Sequence, residues 1–253
     1  MQNMQSIKSL SLLALASLCM VGCKTTYYPS ATENSLYRID HSIEADSAIV
    51  NYYIPFKLQM EKEMNRQIGY SKNFLSKNRS EGEFLAGNFF ADAMLAIGKS
   101  IDPQAQIAIA TKGGIRSEIK QGPITIGSMF EMMPFENAIT ILELSGKDIL
   151  TLANFIAKTG GQPIAGCTIV IKDGMPQEFF IQGQPVDLDK SYKLVTYDYL
   201  ANGGDYIDGI QSPIKRTDTP TLVRDALIKY VEGLTKQGKN INTTLDGRIK
   251  IIK

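Results

Sequence analysis

Of the three cysteines in the sequence, only Cys167 lies in a segment patterned to fold, so the structure must be held by its apolar core and not by disulfides. Cys19 and Cys23 belong to an N-terminal address. Lys8 gives a basic start, an apolar run follows from Leu10 to Met20, and small residues lead to Gly22-Cys23. The run is too short to span a bilayer as a helix and has the length of a secretory signal. A small residue directly before cysteine makes residues 1–22 read as a lipoprotein signal peptide, with Cys23 carrying the lipid. An ordinary signal that ends near a cysteine by chance is the alternative. The expectation is an exported bacterial lipoprotein, held to a membrane through its lipid in the periplasm or at the outer membrane. Residues 23–44 then form a polar tether and residues 45–253 one folded domain.

Composition narrows the class further. With 43% hydrophobic and 21% charged residues the chain is globular in character. Its 27 basic and 26 acidic side chains give no bulk electrostatic reason to bind nucleic acid. There is a single histidine, His41, set among polar neighbours and read as a solvated surface residue. A dinuclear phosphoesterase centre needs several imidazoles, so this sequence does not build one by itself.

Helix and strand patterns alternate without a regular βαβ period, which predicts an α+β fold of mixed sheets with packed helices. Ile49, Tyr52 or Tyr53, Phe56 and Met60 recur at helical spacing over 45–65, with Pro55 expected to kink or divide that helix. Ser80 and Glu83 read as a capping box opening a helix to about Gly98, with Leu85, Phe89, Ala93 and Ile97 as its buried stripe. Strands are expected at 105–111, 138–144, 192–196 and 248–252. A hairpin is expected from 168–172 and 177–181 around Asp173-Gly174. Ser145 opens a helix ending before Gly160, and Thr219-Pro220 supplies N-cap and N1 of another that runs to about Gly233. Gly98-Lys99-Ser100 imitates the end of a phosphate loop, but Ala93 stands where that motif needs glycine. Met129, Met132 and Met133 read as core filling.

Three stretches are unlike ordinary core. In Lys112-Gly113-Gly114-Ile115-Arg116 the paired glycines let backbone approach a ligand, while Arg116 offers a fork of donors to phosphate or hydroxyl oxygens. In Met133-Pro134-Phe135-Glu136 proline fixes the approach to an aromatic. Tyr199-Leu200-Ala201-Asn202-Gly203-Gly204-Asp205 sets an aromatic, a turn and a carboxylate in succession. Together they supply two rings for a flat heterocycle, a cation for an anion and an acceptor for a diol. Nothing in the chain activates a nucleophile: no serine elbow, no His–Asp pair, no metal cage.

GGIRSEI at 113–119, MPFENAITILELSGKDI at 133–149, YDYLANGGD at 197–205 and the helix EFLAGNFFADAML at 83–95 resemble, in order and spacing, the C-terminal specificity domain of the 5′-nucleotidase family. The resemblance covers about residues 45–252 and implies that domain's layered α+β sandwich. It implies that Phe135 and Tyr199 clamp a nucleobase, that Asp205 lies near the ribose, and that Arg116 points toward ribose or phosphate. Gly113, Gly114, Asn202, Gly203 and Gly204 would shape the pocket, and Arg79 corresponds loosely to a further arginine.

The chain departs from the family pattern at several points. Thr111 stands where asparagine is frequent and Tyr199 where phenylalanine is frequent. Tyr206 follows Asp205 where glycine is usual, which predicts a tighter loop or a partly filled pocket. The Asp-x-His and Asn-His-Glu motifs of the family's metallophosphoesterase domain do not occur. The resemblance therefore implies the specificity subunit of a split periplasmic 5′-nucleotidase, with no cofactor of its own. Divalent metals would reside on a separate metallophosphoesterase chain. A stand-alone nucleoside or nucleotide receptor, or a scaffold whose clamp has decayed, remains open.

Overall fold

A computed structural model describes residues 27–78 and 82–252. The expected signal at 1–22 and the expected lipid-bearing Cys23 fall outside the described residues, as do Arg79 and Ser80. The chain divides into two units, residues 1–50 and 51–253. In the first, residues 27–46 are exposed and carry no helix or strand. Helix α1 (Ser47–Met64) forms as its spacing predicts, and Pro55 does not divide it. Its apolar stripe stays exposed, with the Tyr52 and Phe56 rings 5.8 Å apart.

Among the described residues the second unit contains three sheets. β1 (Gln67–Ser71) pairs antiparallel with β3 (Gly122–Thr125). A five-stranded sheet has the order β10 (Lys215–Leu222), β4 (Ala138–Ser145), β9 (Ser191–Tyr197), β2 (Ile107–Ile109), β5 (Ile164–Ala165). Only β2 and β9 run parallel in it; its other pairs are antiparallel. The third sheet orders β11 (Ile249–Ile252), β6 (Cys167–Lys172), β7 (Met175–Ile181), β8 (Gln184–Pro185). The β6–β7 hairpin turns at Asp173-Gly174, both in the left-handed region, as expected for a type I′ turn. This mixture of sheets and packed helices is the α+β class that the alternating patterns predict.

Consecutive buried residues on β9 (Leu194, Val195, Thr196) and β4 (Ile139 to Leu142) show that the central sheet is covered on both faces, because neighbouring side chains on a strand point opposite ways. Helix α2 (Leu85–Ile101) covers one face. Its Gly98 lies so close to Val195 that any side chain there would collide with the valine methyls. The imitation phosphate loop is thus a helix-packing contact. Helix α4 (Gly146–Lys158) packs on β4 and β9 and also on β6 and β7, so it joins two sheets. Helix α6 (Val223–Lys236) packs against β1, α2, β10 and the short helix α3 (Ile126–Met132). Met129, Met132 and Met133 are fully buried in the shared core. Cys167 is buried too, and burial pushes its thiol up to about 12, leaving a neutral, inert group.

Two helix starts differ from the sequence reading. α2 begins at Leu85, with Phe84 as an N-cap that makes no side-chain cap. Glu83 lies outside the helix, buried, and accepts instead from Asn88 Nδ2 and from the Gly247 backbone N–H, both 2.9 Å away. Thr219 and Pro220 lie within β10, and α6 starts at Val223. β10 is a sheet edge, where proline's missing N–H removes no ladder bond. At α4 the capping box is complete: Ser145 Oγ accepts from the Asp148 N–H, and Asp148 Oδ2 accepts from the Ser145 N–H, each at 3.2 Å. Ser145→Ala should lower unfolding free energy by about 1 kcal/mol, read as a shifted urea midpoint at unchanged slope.

Candidate functional site

The sheet topology explains why three distant motifs meet. β2 and β9 are parallel, so their C-terminal ends share an edge. β4 is antiparallel to β9 with Ile139 opposite Tyr197, so the segment entering β4 arrives at that same edge. The turn after β2, the segment 133–137 and the short helix α5 (Asp198–Ala201) therefore converge. Between them lies a cavity of about 310 Å³, near the low end of the roughly 300–1,000 Å³ usual for small-molecule sites. Phe135, Tyr199, Arg116 and Asp205 line it, with Gly113 and Gly114 forming part of its wall.

Phe135 and Tyr199 remain 40% and 48% exposed, although both rings are large enough to bury fully. Each is fixed from behind. Asp198 Oδ1 accepts from Asn137 Nδ2 at 3.0 Å, from the Ala138 N–H at 3.2 Å and from the Tyr199 N–H at 2.7 Å. One carboxylate thus ties the phenylalanine segment to the helix that carries the tyrosine. The Tyr199 ring lies over Gly204, where a Cβ would come within 2.5 Å of it. Gly203, at φ 93°, makes the turn that brings Asp205 back toward the cavity.

Arg116 is exposed and sits 6.0 Å from the Phe135 ring centre. Its guanidinium donates only a long bond of 3.3 Å to the Gly113 carbonyl and takes part in no ion pair among the described residues. It is available to an anion. Asp205 and Tyr206 both adopt positive φ, near 50°, at roughly 1–2 kcal/mol each for residues with a Cβ. Tyr206 does not fill the cavity: it is 89% exposed and is not among the lining residues, contrary to the partly filled pocket expected. The left-handed backbone at Asp205 and Tyr206 turns the ring out to solvent.

Two lining residues, Asn137 and Tyr197, were not singled out by the sequence reading. Tyr197 closes strand β9 and is 1% exposed, and its hydroxyl makes no hydrogen bond among the described residues. Burial pushes this phenol up to about 12. The absent side chain of Gly114 leaves room for that hydroxyl. In the sequence Tyr197 looks like any alternating strand residue, whereas Asn137, two positions after Phe135, carried a usable signal. Asn202 is an expected site residue that the structure places elsewhere. It is not among the lining residues, and its Oδ1 accepts from Arg216 at 2.8 Å. Among the described residues three larger depressions, about 510, 570 and 340 Å³, lie outside this slot, the third also against Arg248. The first surrounds Arg248, whose charge is already neutralised by two aspartates; the second borders the slot at Arg116. The smaller cavity brings two exposed rings, Phe135 and Tyr199, together with Arg116 and Asp205, whereas the depression next to it has the single exposed ring of Phe74 beside Arg116, Glu118 and Glu131. Among the described residues, no three His, Cys, Asp or Glu side chains converge as a metal site requires, so the residues present do not fit a dinuclear centre.

A layered α+β domain with a cavity at the C-terminal ends of the inner strands β2 and β9 is the class this geometry defines. The family profile described as "5′-nucleotidase, C-terminal domain" matches residues 67–212, and the chain belongs to that family. It is 25% identical to Protein UshA of Escherichia coli K12 over 215 residues, which is 83% of this chain and 38% of that protein. It is 27% identical to the trifunctional nucleotide phosphoesterase protein YfkN of Bacillus subtilis over 85% of this chain and 16% of that one. Among solved structures, the 5′-nucleotidase precursor of Thermus thermophilus superposes with a TM-score of 0.68 at 27% identity, covering 81% of this chain and 42% of that one. The chain thus spans about two fifths of the length of UshA and of the Thermus protein.

Proposed function

We propose that the slot binds a nucleoside or nucleotide, with the base stacked between Phe135 and Tyr199, Asp205 accepting from ribose hydroxyls, and Arg116 facing the phosphate. The observation that carries this reading is the meeting of two half-exposed rings, an unpaired guanidinium and a carboxylate on one cavity. The relatives named for nucleotide chemistry support the ligand class. This reading assigns hydrolysis to a separate metallophosphoesterase chain, which supplies the divalent ions and the attacking water; residues 1–253 include a single histidine, His41, and neither an Asp-x-His nor an Asn-His-Glu motif. This chain is the specificity subunit of such a split 5′-nucleotidase. Export by the signal at 1–22 and acylation of Cys23 hold it at the membrane on the periplasmic side.

Calorimetric titration of the purified protein with adenosine and AMP tests the reading. Both should bind, and Arg116→Glu should weaken AMP about tenfold more than adenosine, as loss of a charge-assisted contact does. Equal loss for both ligands would give Arg116 a structural job, and no binding by the parent protein would end the proposal. With Mn²⁺ added, the protein alone should not turn over AMP. Binding that no metallophosphoesterase converts into hydrolysis would favour a nucleoside receptor instead.

A further inference from the structure

The Asp205 carboxylate is held from two sides by neutral hydroxyls. Thr111 Oγ1, at the end of β2, donates to Oδ2 at 2.5 Å. Tyr199 Oη, on the opposite flank, donates to Oδ1 at 3.1 Å. Thr111 is 3% exposed, and its Oγ1 accepts from the Gly114 N–H at 3.2 Å, which directs the hydroxyl's own proton to the carboxylate. These contacts hold a residue whose backbone sits at φ 53° and would not keep that conformation unaided. The two donors come from different elements, the end of β2 and helix α5, and both end on one carboxylate.

We propose that the Thr111 and Tyr199 hydroxyls are positioning groups that aim the Asp205 carboxylate at a vicinal diol, so that this slot prefers ribonucleosides to their 2′-deoxy counterparts. The proposal rests on the nucleoside reading above and specifies which sugar the site takes. An ionised carboxylate offers about four acceptor positions. The two hydroxyls occupy one on each oxygen, leaving one on each for a pair of adjacent hydroxyl donors. Asp205 takes part in no ion pair among the described residues, so neutral donors are not displaced by a resident cation. Fixing a carboxylate in advance matters most for a two-point contact, because a freely rotating group satisfies one hydroxyl as readily as another. On this reading Tyr199 has two separate roles: its face stacks and its hydroxyl aims.

Titrating adenosine and 2′-deoxyadenosine against the parent, Thr111→Val, Thr111→Ser and Tyr199→Phe separates these roles. The parent should prefer adenosine by about tenfold, the scale of one hydrogen bond to a charged group. Thr111→Val and Tyr199→Phe should each cut the preference to about threefold or less by weakening adenosine alone, and Thr111→Ser should restore it. Tyr199→Phe keeps the stacking face on an exposed side chain, so its result stands even if Thr111→Val folds poorly. An unchanged preference in both variants, equal weakening of both ligands, or a parent that does not discriminate would overturn the proposal while leaving the slot a nucleoside site. A parent that binds neither nucleoside would refute the slot assignment itself, and this proposal with it.

Discussion

Replacing Arg248 by alanine is expected to lower the unfolding free energy by about 2–4 kcal/mol, among the largest single-residue losses in the fold. The guanidinium is 10% exposed and donates to Asp92 Oδ1 at 2.7 Å and Oδ2 at 3.1 Å, to Asp246 Oδ1 at 2.8 Å and Oδ2 at 2.7 Å, and to the Ile164 carbonyl at 2.9 Å. It thereby ties α2 and β5 to the segment entering β11, across two sheets. Breaking a fully buried pair costs roughly 3–5 kcal/mol. Both carboxylates are nearly half exposed and can rehydrate, which moves the expectation downward. Acid titration gives a second readout. Hydrogen bonding from Arg248 holds the Asp246 carboxyl below the ordinary carboxylate range. A carboxyl lowered on folding contributes stability that is complete above its unfolded value, near 4, and is lost as pH falls through its folded value. In Arg248→Ala the loss of stability below about pH 4 should therefore be shallower than in the parent. Urea midpoints at pH 7 and pH 3 measure both effects; a midpoint unmoved at pH 7 would mean that the network contributes nothing net.

Tyr199→Ala and Phe135→Ala should each weaken adenosine about 5- to 150-fold, because stacking one base on one aromatic contributes about 1–3 kcal/mol. The fold should be little affected, since both rings are substantially exposed. Combined, the two substitutions should cost less than the product of the single losses. A base resting on one wall no longer gains from desolvation between two, and contacting residues are not additive. Calorimetry on the three variants checks this. Loss of binding in only one single variant would mean that the base lies on a single ring, with the other packing against something else.

Much of this slot was legible in the sequence because its residues come in short stretches of unusual composition, with paired glycines beside an arginine, a proline before an aromatic, and a glycine pair before an aspartate. Their convergence was not legible. It depends on β2 running parallel to β9 while β4 runs antiparallel, and no local pattern encodes that pairing. Strands rich in β-branched and aromatic residues, or flanking a hairpin turn, were recoverable to within a residue or two at β4, β6, β7 and β9. The short sheet of β1 and β3 and the helix α3 were missed, because four- and five-residue strands and a seven-residue helix carry too few periods to read. Thr219-Pro220 looks the same before a helix and on a sheet edge, and tertiary pairing with β4 decided for the strand. Glu83 looked like a capping residue, but burial beside Asn88 gave its carboxylate a different pair of donors. In α1 the apolar spacing gave the helix correctly while saying nothing about whether its stripe would be covered.

The most direct test is an adenosine titration followed by NMR on protein carrying ring-labelled phenylalanine and tyrosine, with Phe135 and Tyr199 assigned by their alanine variants. A base seated between the two rings will move both sets of resonances upfield together, along one saturable curve. Saturating adenosine that leaves Phe135 and Tyr199 unchanged, or that shifts only rings distant from the slot, would contradict the assignment of this cavity as a base-binding site.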